Sequence, residues 1–107
     1  MKILFASDIH GSAYYCRRLL DIYKETKASR MVILGDILYH GPRNDLPKEY
    51  APKEVIAMLN PLKDQIYAVR GNCDTEVDQM VLQFPILADY ALLVLDGKTF
   101  YATHGHV

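Results

Sequence analysis

Three short apolar runs, KILFAS (2–7), RMVIL (30–34) and QIYAV (65–69), limit the folds open to this chain. Each is too short for a helix and lacks polar alternation, so each reads as a strand buried on both faces. The stretches between them have helical spacing. Over 13–27, Cys16, Leu19, Leu20 and Tyr23 recur on one side with Arg17, Arg18, Asp21, Lys24 and Glu25 between them, and Ser12 stands at the N-cap. YHGPRNDLPKEYAP (39–52) is a loop. Pro52 then opens a second helix with Val55, Ile56 and Leu59 on its inner face, and Pro61 stops it. Thr75 caps a short third helix reaching about Gln83, with Asp78 in its first turn. Finally, ALLVL and KTFYAT are joined by Asp96-Gly97, a two-residue turn whose positions both favour positive φ. The order β-α-β-α-β-α-β-β predicts an α/β fold with right-handed crossovers and a mainly parallel sheet, to which the closing hairpin adds antiparallel strands.

At 107 residues, half of them apolar, the chain is the size of one small domain with enough material for a core. A formal net charge of −1 gives no bulk electrostatic case for nucleic acid or an anionic membrane as partner. No run spans a bilayer. The first apolar run breaks at Asp8, which is too early for a secretory signal, so a cytoplasmic location is expected. Cys16 and Cys73 suit a reducing compartment and form neither a disulfide framework nor a Cys-x-x-Cys zinc motif.

The polar residues closing the strands carry the functional argument. The apolar segments end in Asp8-Ile9-His10, Gly35-Asp36, Gly71-Asn72-Cys73-Asp74 and His104-Gly105-His106. In an open α/β sheet such ends share one rim, where ligand sites form. In extended backbone Asp8 and His10 point to the same side, with Ile9 directed into the core. Gly35 and Gly71 let the chain turn beside a crowded site. Carboxylate, imidazole and amide oxygen together suit Mn, Fe or Zn better than a thiolate-seeking ion, and Asp36 is placed to bridge two ions. Two ions about 3.5–4 Å apart clamp the attacking and leaving oxygens of a phosphoryl displacement. Taken singly, each segment has a plainer use. Asp36 can cap a turn, Asn72-Cys73-Asp74 can be a turn and helix cap, and His104 and His106 can be a solvated end. Four segments ending together in ligand-type residues favour a shared site. Arg43 and Asn44 are candidates to hold a substrate phosphate, with a solvated loop as the alternative, and His40 stands beside them. Cys16 lies on the apolar side of its helix and belongs to the core.

The stretches SDIHGS, LGDIL, VRGNCDTEVDQM and THGH resemble the signature of the calcineurin-like metallophosphoesterase superfamily. LGDILYHGPRN and RGNCDTEVDQM are similar to its YfcE-like bacterial phosphodiesterases. The resemblance implies a metallophosphoesterase-like α/β sandwich that hydrolyses small phosphodiesters or phosphomonoesters through a binuclear metal site and metal-bound hydroxide. Asp8 and His10 would hold one ion, Asn72 and His104 the other, and Asp36 both. His106 would orient a ligand or a water. The implied catalytic segment is Asn72, Cys73 and Asp74, with Cys73 where the wider superfamily often has a leaving-group histidine. The implied cofactors are two divalent ions, Mn first, with Fe, Zn, Ni and Mg as alternatives. One departure matters. No Gly-His-x-His follows His104, so each ion lacks one imidazole, and the C-terminal part of the sandwich is missing. The expectation is one metallophosphoesterase domain over 1–107, incomplete at its C-terminus. A catalytically weak scaffold like the retromer small subunit, self-associating through an exposed sheet edge, is the alternative.

Overall fold

The computed structural model describes residues 2–106. The elements run β1 (Ile3–Ala6), α1 (Ala13–Thr26), β2 (Arg30–Ile33), α2 (Pro52–Leu59), a 3-10 turn (Asn60–Leu62), β3 (Ile66–Ala68), α3 (Glu76–Val81), β4 (Tyr90–Leu95) and β5 (Lys98–Thr103). Their local causes are visible. Ser12 Oγ accepts the Tyr15 amide at 3.2 Å at the start of α1, and Lys27 closes that helix in a left-handed conformation. Pro52 occupies the first turn of α2. Thr75 and Asp78 form a reciprocal capping box on α3.

The strands β1, β2 and β3 form a parallel sheet with β2 at its centre. One sheet face buries Met31, Ile33, Ile66 and Ala68 against Cys16 of α1 and Val55 and Leu59 of α2. Leu82, Phe84 and Ile86, which lead from α3 towards β4, are buried in the same core. The hairpin β4–β5 departs from the expectation. It turns at Asp96 and Gly97, both at positive φ, but forms a sheet of its own instead of extending the first. Its entry is tied to the end of β3 by the Arg70 amide, which donates to the Ala88 carbonyl at 2.7 Å, and by an Arg70–Asp89 ion pair at 2.8 Å. The connection is anchored in the core by Leu82, Phe84 and Ile86 before β4 begins. No helix among the described residues is long and apolar enough to cross a membrane.

Ile33 is fully buried on the central strand, immediately before the polar rim. Replacing Ile33 by Ala should cost about 2–5 kcal/mol through lost burial and a residual cavity. Urea denaturation followed by circular dichroism measures this, and a loss below about 1 kcal/mol would contradict the placement of Ile33 in a close-packed core.

Candidate metal centre

All three parallel strands run out at one rim, and the loops beyond them are knitted backbone to backbone. The amides of Asp8, His10 and Gly11 donate to the carbonyls of Gly35, Asp36 and Ile37 at 3.0, 2.9 and 2.8 Å. The Asp8-Ile9-His10 segment is not extended, contrary to the sequence reading. Asp8 (φ 60°) and His10 (φ 50°) are both left-handed, so a kinked backbone, not strand alternation, brings their side chains together. Ile9 does turn into the core. Asp36 is left-handed as well, at φ 56°. Such positions cost of order 1–3 kcal/mol each, less for Asp and His than for branched residues, and persist only where the surroundings over-determine them.

Asp74 does much of that determining. Its buried carboxylate accepts three backbone amides: Asp36 at 2.7 Å, Ile37 at 3.0 Å and Gly71 at 2.7 Å. Asp36 is 2% exposed, and its Oδ1 accepts the Cys73 amide at 2.7 Å. The rim after β2 and the rim after β3 are thus held together by two buried carboxylates. Glycine is needed where they meet. A Cβ on Gly71 would stand 2.2 Å from Asp36 Oδ1, and one on Gly35 would stand 2.3 Å from the Gly71 amide.

Asp36 Oδ2 lies between two imidazoles, 3.6 Å from His10 Nε2 and 3.3 Å from His104 Nε2. His10 Nε2 is also 3.1 Å from Asp8 Oδ1. Each ring's other nitrogen faces a carbonyl, His10 Nδ1 with Tyr39 O at 2.8 Å and His104 Nδ1 with Leu34 O at 2.6 Å. A carbonyl only accepts, so both Nδ1 atoms carry a proton and donate. In the neutral rings the Nε2 lone pairs then face carboxylate oxygens, which calls for a proton or a cation between them. Burial opposes protonation of His10, but the Tyr39 carbonyl, Asp8 and Asp36 outweigh it and raise its pKa. Burial raises the pKa of Asp36, with the like charges of Asp74 and Asp8 adding to it against the Cys73 amide and His104. Burial also acts upward on Asp8, but hydrogen bonds from Ser7 and His10 prevail and lower its pKa. Two donor groups result, Asp8–Asp36–His104 and His10–Asp36–Cys73, each with its ligand atoms within 4.8 Å of one another and both including Asp36. The donor chemistry fits divalent cations.

The remaining predicted residues are placed as follows. Asn72 is exposed at the rim, with its amide 3.7 Å from Cys73 Sγ. Cys73 is buried and stands in a donor group, a position the sequence reading left open. Arg43 and Asn44 are exposed, and Asn44 donates to the His40 carbonyl at 2.8 Å. Gly41 lets this loop close over the site, since a Cβ there would stand 3.2 Å from Cys73 Sγ. His106 meets His104 edge-on, with ring centroids 5.3 Å apart. Sequence reasoning missed the Leu34 and Tyr39 carbonyls that fix the imidazole tautomers. Backbone acceptors leave no residue signature.

Comparison with known proteins gives the family and the fold. The chain matches the calcineurin-like phosphoesterase family over residues 1–107. It is 50% identical over 107 residues to the phosphodiesterase YfcE of Escherichia coli K12, and equally to that of E. coli O157:H7. All of this chain is matched, but only 58% of those relatives' length. A solved structure of the E. coli YfcE phosphoesterase superposes with a TM-score of 0.97 at 51% identity, over 99% of this chain and 58% of that one. A predicted phosphoesterase from Streptococcus pneumoniae shares the fold at a TM-score of 0.54 and 23% identity, over 97% of this chain and 45% of that one.

Replacing Gly71 by Ala should push the Asp36 carboxylate out of place. The expected result is at least a tenfold loss of Mn²⁺ affinity by isothermal titration; unchanged affinity would contradict the packing around Asp36. The pH response should change sign with metal. In the metal-free chain, His10 contributes stability below its ordinary pKa of ~6.5, and this is lost as pH rises through its raised value. Asp36, also raised, acts in the same sense. Metal must displace those protons, so affinity should fall as pH drops into the imidazole range. Melting curves with and without Mn²⁺ across that range should diverge as pH rises. Parallel curves would contradict the ligand roles of His10 and Asp36.

Proposed function

This chain belongs to the calcineurin-like phosphoesterase family, and on that premise we propose that it carries the metal-binding machinery of a phosphodiesterase acting on small phosphate esters. The single observation that supports this best is the buried Asp36 carboxylate set between two imidazoles whose other nitrogens are tied to carbonyls. Asp8, His10 and Asp36 would hold one divalent ion. Asp36, Asn72 and His104 would hold a second. Mn is the first choice for both, with Fe, Zn, Ni and Mg as alternatives. Such ions supply Lewis acidity, a nucleophile at neutral pH and charge compensation for the phosphodiester.

The chain's own residues supply the rest. Asp74 positions the Asp36 backbone through three amides instead of meeting substrate. Arg43 and Asn44, on the loop that Gly41 closes over Cys73, bind the substrate phosphate, with Arg43 as the charged donor. In the metal-free chain burial raises the Cys73 pKa first, then Asp36, Asp74 and Asp8, against Arg43. Cys73 stands beside Asp36 at the site as a small buried group. His106 packs on His104 and orients it. Residues 1–107 belong to one metallophosphoesterase domain working in the cytoplasm.

The purified chain should hydrolyse bis-p-nitrophenyl phosphate only with added Mn²⁺, and Asp36→Asn should abolish that rate. Hydrolysis at the same rate without added metal would overturn the metal dependence. Hydrolysis indifferent to Asp36→Asn would overturn the site.

A further inference from the structure

The thiol of Cys73 has no part in the ligand set proposed above, yet it stands inside it. Its Sγ groups with ligand atoms of His10 and Asp36, all three within 4.8 Å of one another. Donor atoms that share one zinc-like ion, each about 2.0–2.3 Å from it, stand roughly 3–4.5 Å apart. Small side-chain adjustments would therefore bring these three to a common ion. The thiol is held in place by the site itself. The Cys73 amide donates to Asp36 Oδ1 at 2.7 Å, which ties its backbone to that carboxylate. Gly41 passes over the sulfur, where a Cβ would press on Sγ at 3.2 Å. Cys73 is 8% exposed, so its sulfur is shielded from solvent. Asn72 Nδ2, 3.7 Å from Sγ, is a donor and favours an anionic sulfur.

A second observation calls for a cation at the same place. Asp36 is 2% exposed, and its Oδ2 meets the Nε2 atoms of His10 and His104. Both rings use their Nδ1 protons on carbonyls, so in the neutral state they turn lone pairs towards this oxygen. A buried carboxylate oxygen without a donor is costly unless a cation neutralises it. Resting on the metal-centre reading above, we infer that Cys73 is a thiolate ligand to the ion held by His10 and Asp36. This side of the centre then selects a thiophilic divalent cation, Zn²⁺, Co²⁺ or Cd²⁺, over Mn²⁺ and Mg²⁺. As the ion enters, the S–H bond breaks, the sulfur–metal bond forms and the proton leaves to solvent, with no electron transferred. Affinity order alone does not reveal the thiolate, because nitrogen and oxygen sites already bind Zn²⁺ above Mn²⁺. Its mark is that the preference depends on Cys73.

The test is Co²⁺ titration of the purified chain. Thiolate ligation gives an intense near-ultraviolet sulfur-to-cobalt charge-transfer band, while isothermal titration reports Co²⁺ uptake whatever the ligands. The wild-type chain should show both. In Cys73→Ser the band should vanish with Co²⁺ uptake retained, and the ratio of Zn²⁺ to Mn²⁺ affinity should fall at least about tenfold. Cys16, the chain's other thiol, remains in that variant, so it cannot be the source of a band that is lost. Co²⁺ uptake by the wild-type chain without the band would overturn the thiolate ligand and leave the metal centre standing, whether or not the variant folds. A band that survives Cys73→Ser, or an unchanged affinity ratio, would overturn it as well. A chain that takes up no Co²⁺ would overturn the ligand and the centre together. No substrate enters these measurements, so the band in a chain that hydrolyses no ester would support the ligand and count against the phosphodiesterase reading alone.

Discussion

The Asp74 carboxylate is the constraint on which the rim depends. A buried carboxylate is costly unless its lone pairs are used, and here the amides of Asp36, Ile37 and Gly71 use them. Charge-assisted bonds of this kind are worth roughly twice a neutral one. They join the turn after β2 to the turn after β3 and hold Asp36 left-handed. The side chain of Asp36 returns the contact by accepting the Cys73 amide at 2.7 Å. Glycine at 35 and 71 is a consequence: with two backbones drawn this close, a Cβ at either position would collide with backbone or carboxylate.

The site assembled this way is under electrostatic tension. Asp8 and Asp36 face the same imidazoles, and Asp74 stands close enough to Asp36 to raise its pKa along with burial. The left-handed backbone at Asp8, His10 and Asp36 adds conformational cost at the same place. Strain and like charge held in place by surrounding structure are characteristic of functional sites, and a bound cation would offset the like charge. The fixed Nδ1 donors of His10 and His104 point the same way, because they leave Nε2 free to act as a ligand.

Much of this was legible in the residues. The strands, helices, caps and the Asp96-Gly97 turn follow from short-range pattern, and the model places each within a few residues of its expected bounds. The sequence grouped Asp8, His10, Asp36, Asn72 and His104 from where polar residues close apolar runs; the structure draws Asp8, His10, Asp36, Cys73 and His104 together and leaves Asn72 exposed at the rim. The reason offered for Asp8 and His10 was wrong in mechanism, since a period-two argument fails once the strand has ended at Ala6. The separation of the hairpin from the first sheet was not legible either. It depends on Arg70 and Ala88 pairing through backbone, and no side-chain pattern encodes that.

The hairpin's separation bears on the site itself. His104 follows β5 and so rides on the hairpin, whose strands bury only Ala102 among the described residues. Its position rests on the Arg70 amide to Ala88, the Arg70–Asp89 ion pair, and the His104 contacts with the Leu34 carbonyl and Asp36. The ion pair is exposed and contributes little. Asp8, His10 and Asp36 stand on loops knitted to the rim of the parallel sheet, so one side of the site is rigid and the other is lightly held. Elements with few buried contacts open at low free energy. The distance between His104 and Asp36, on which any ion shared between them depends, is therefore set by the lightly held side of the site.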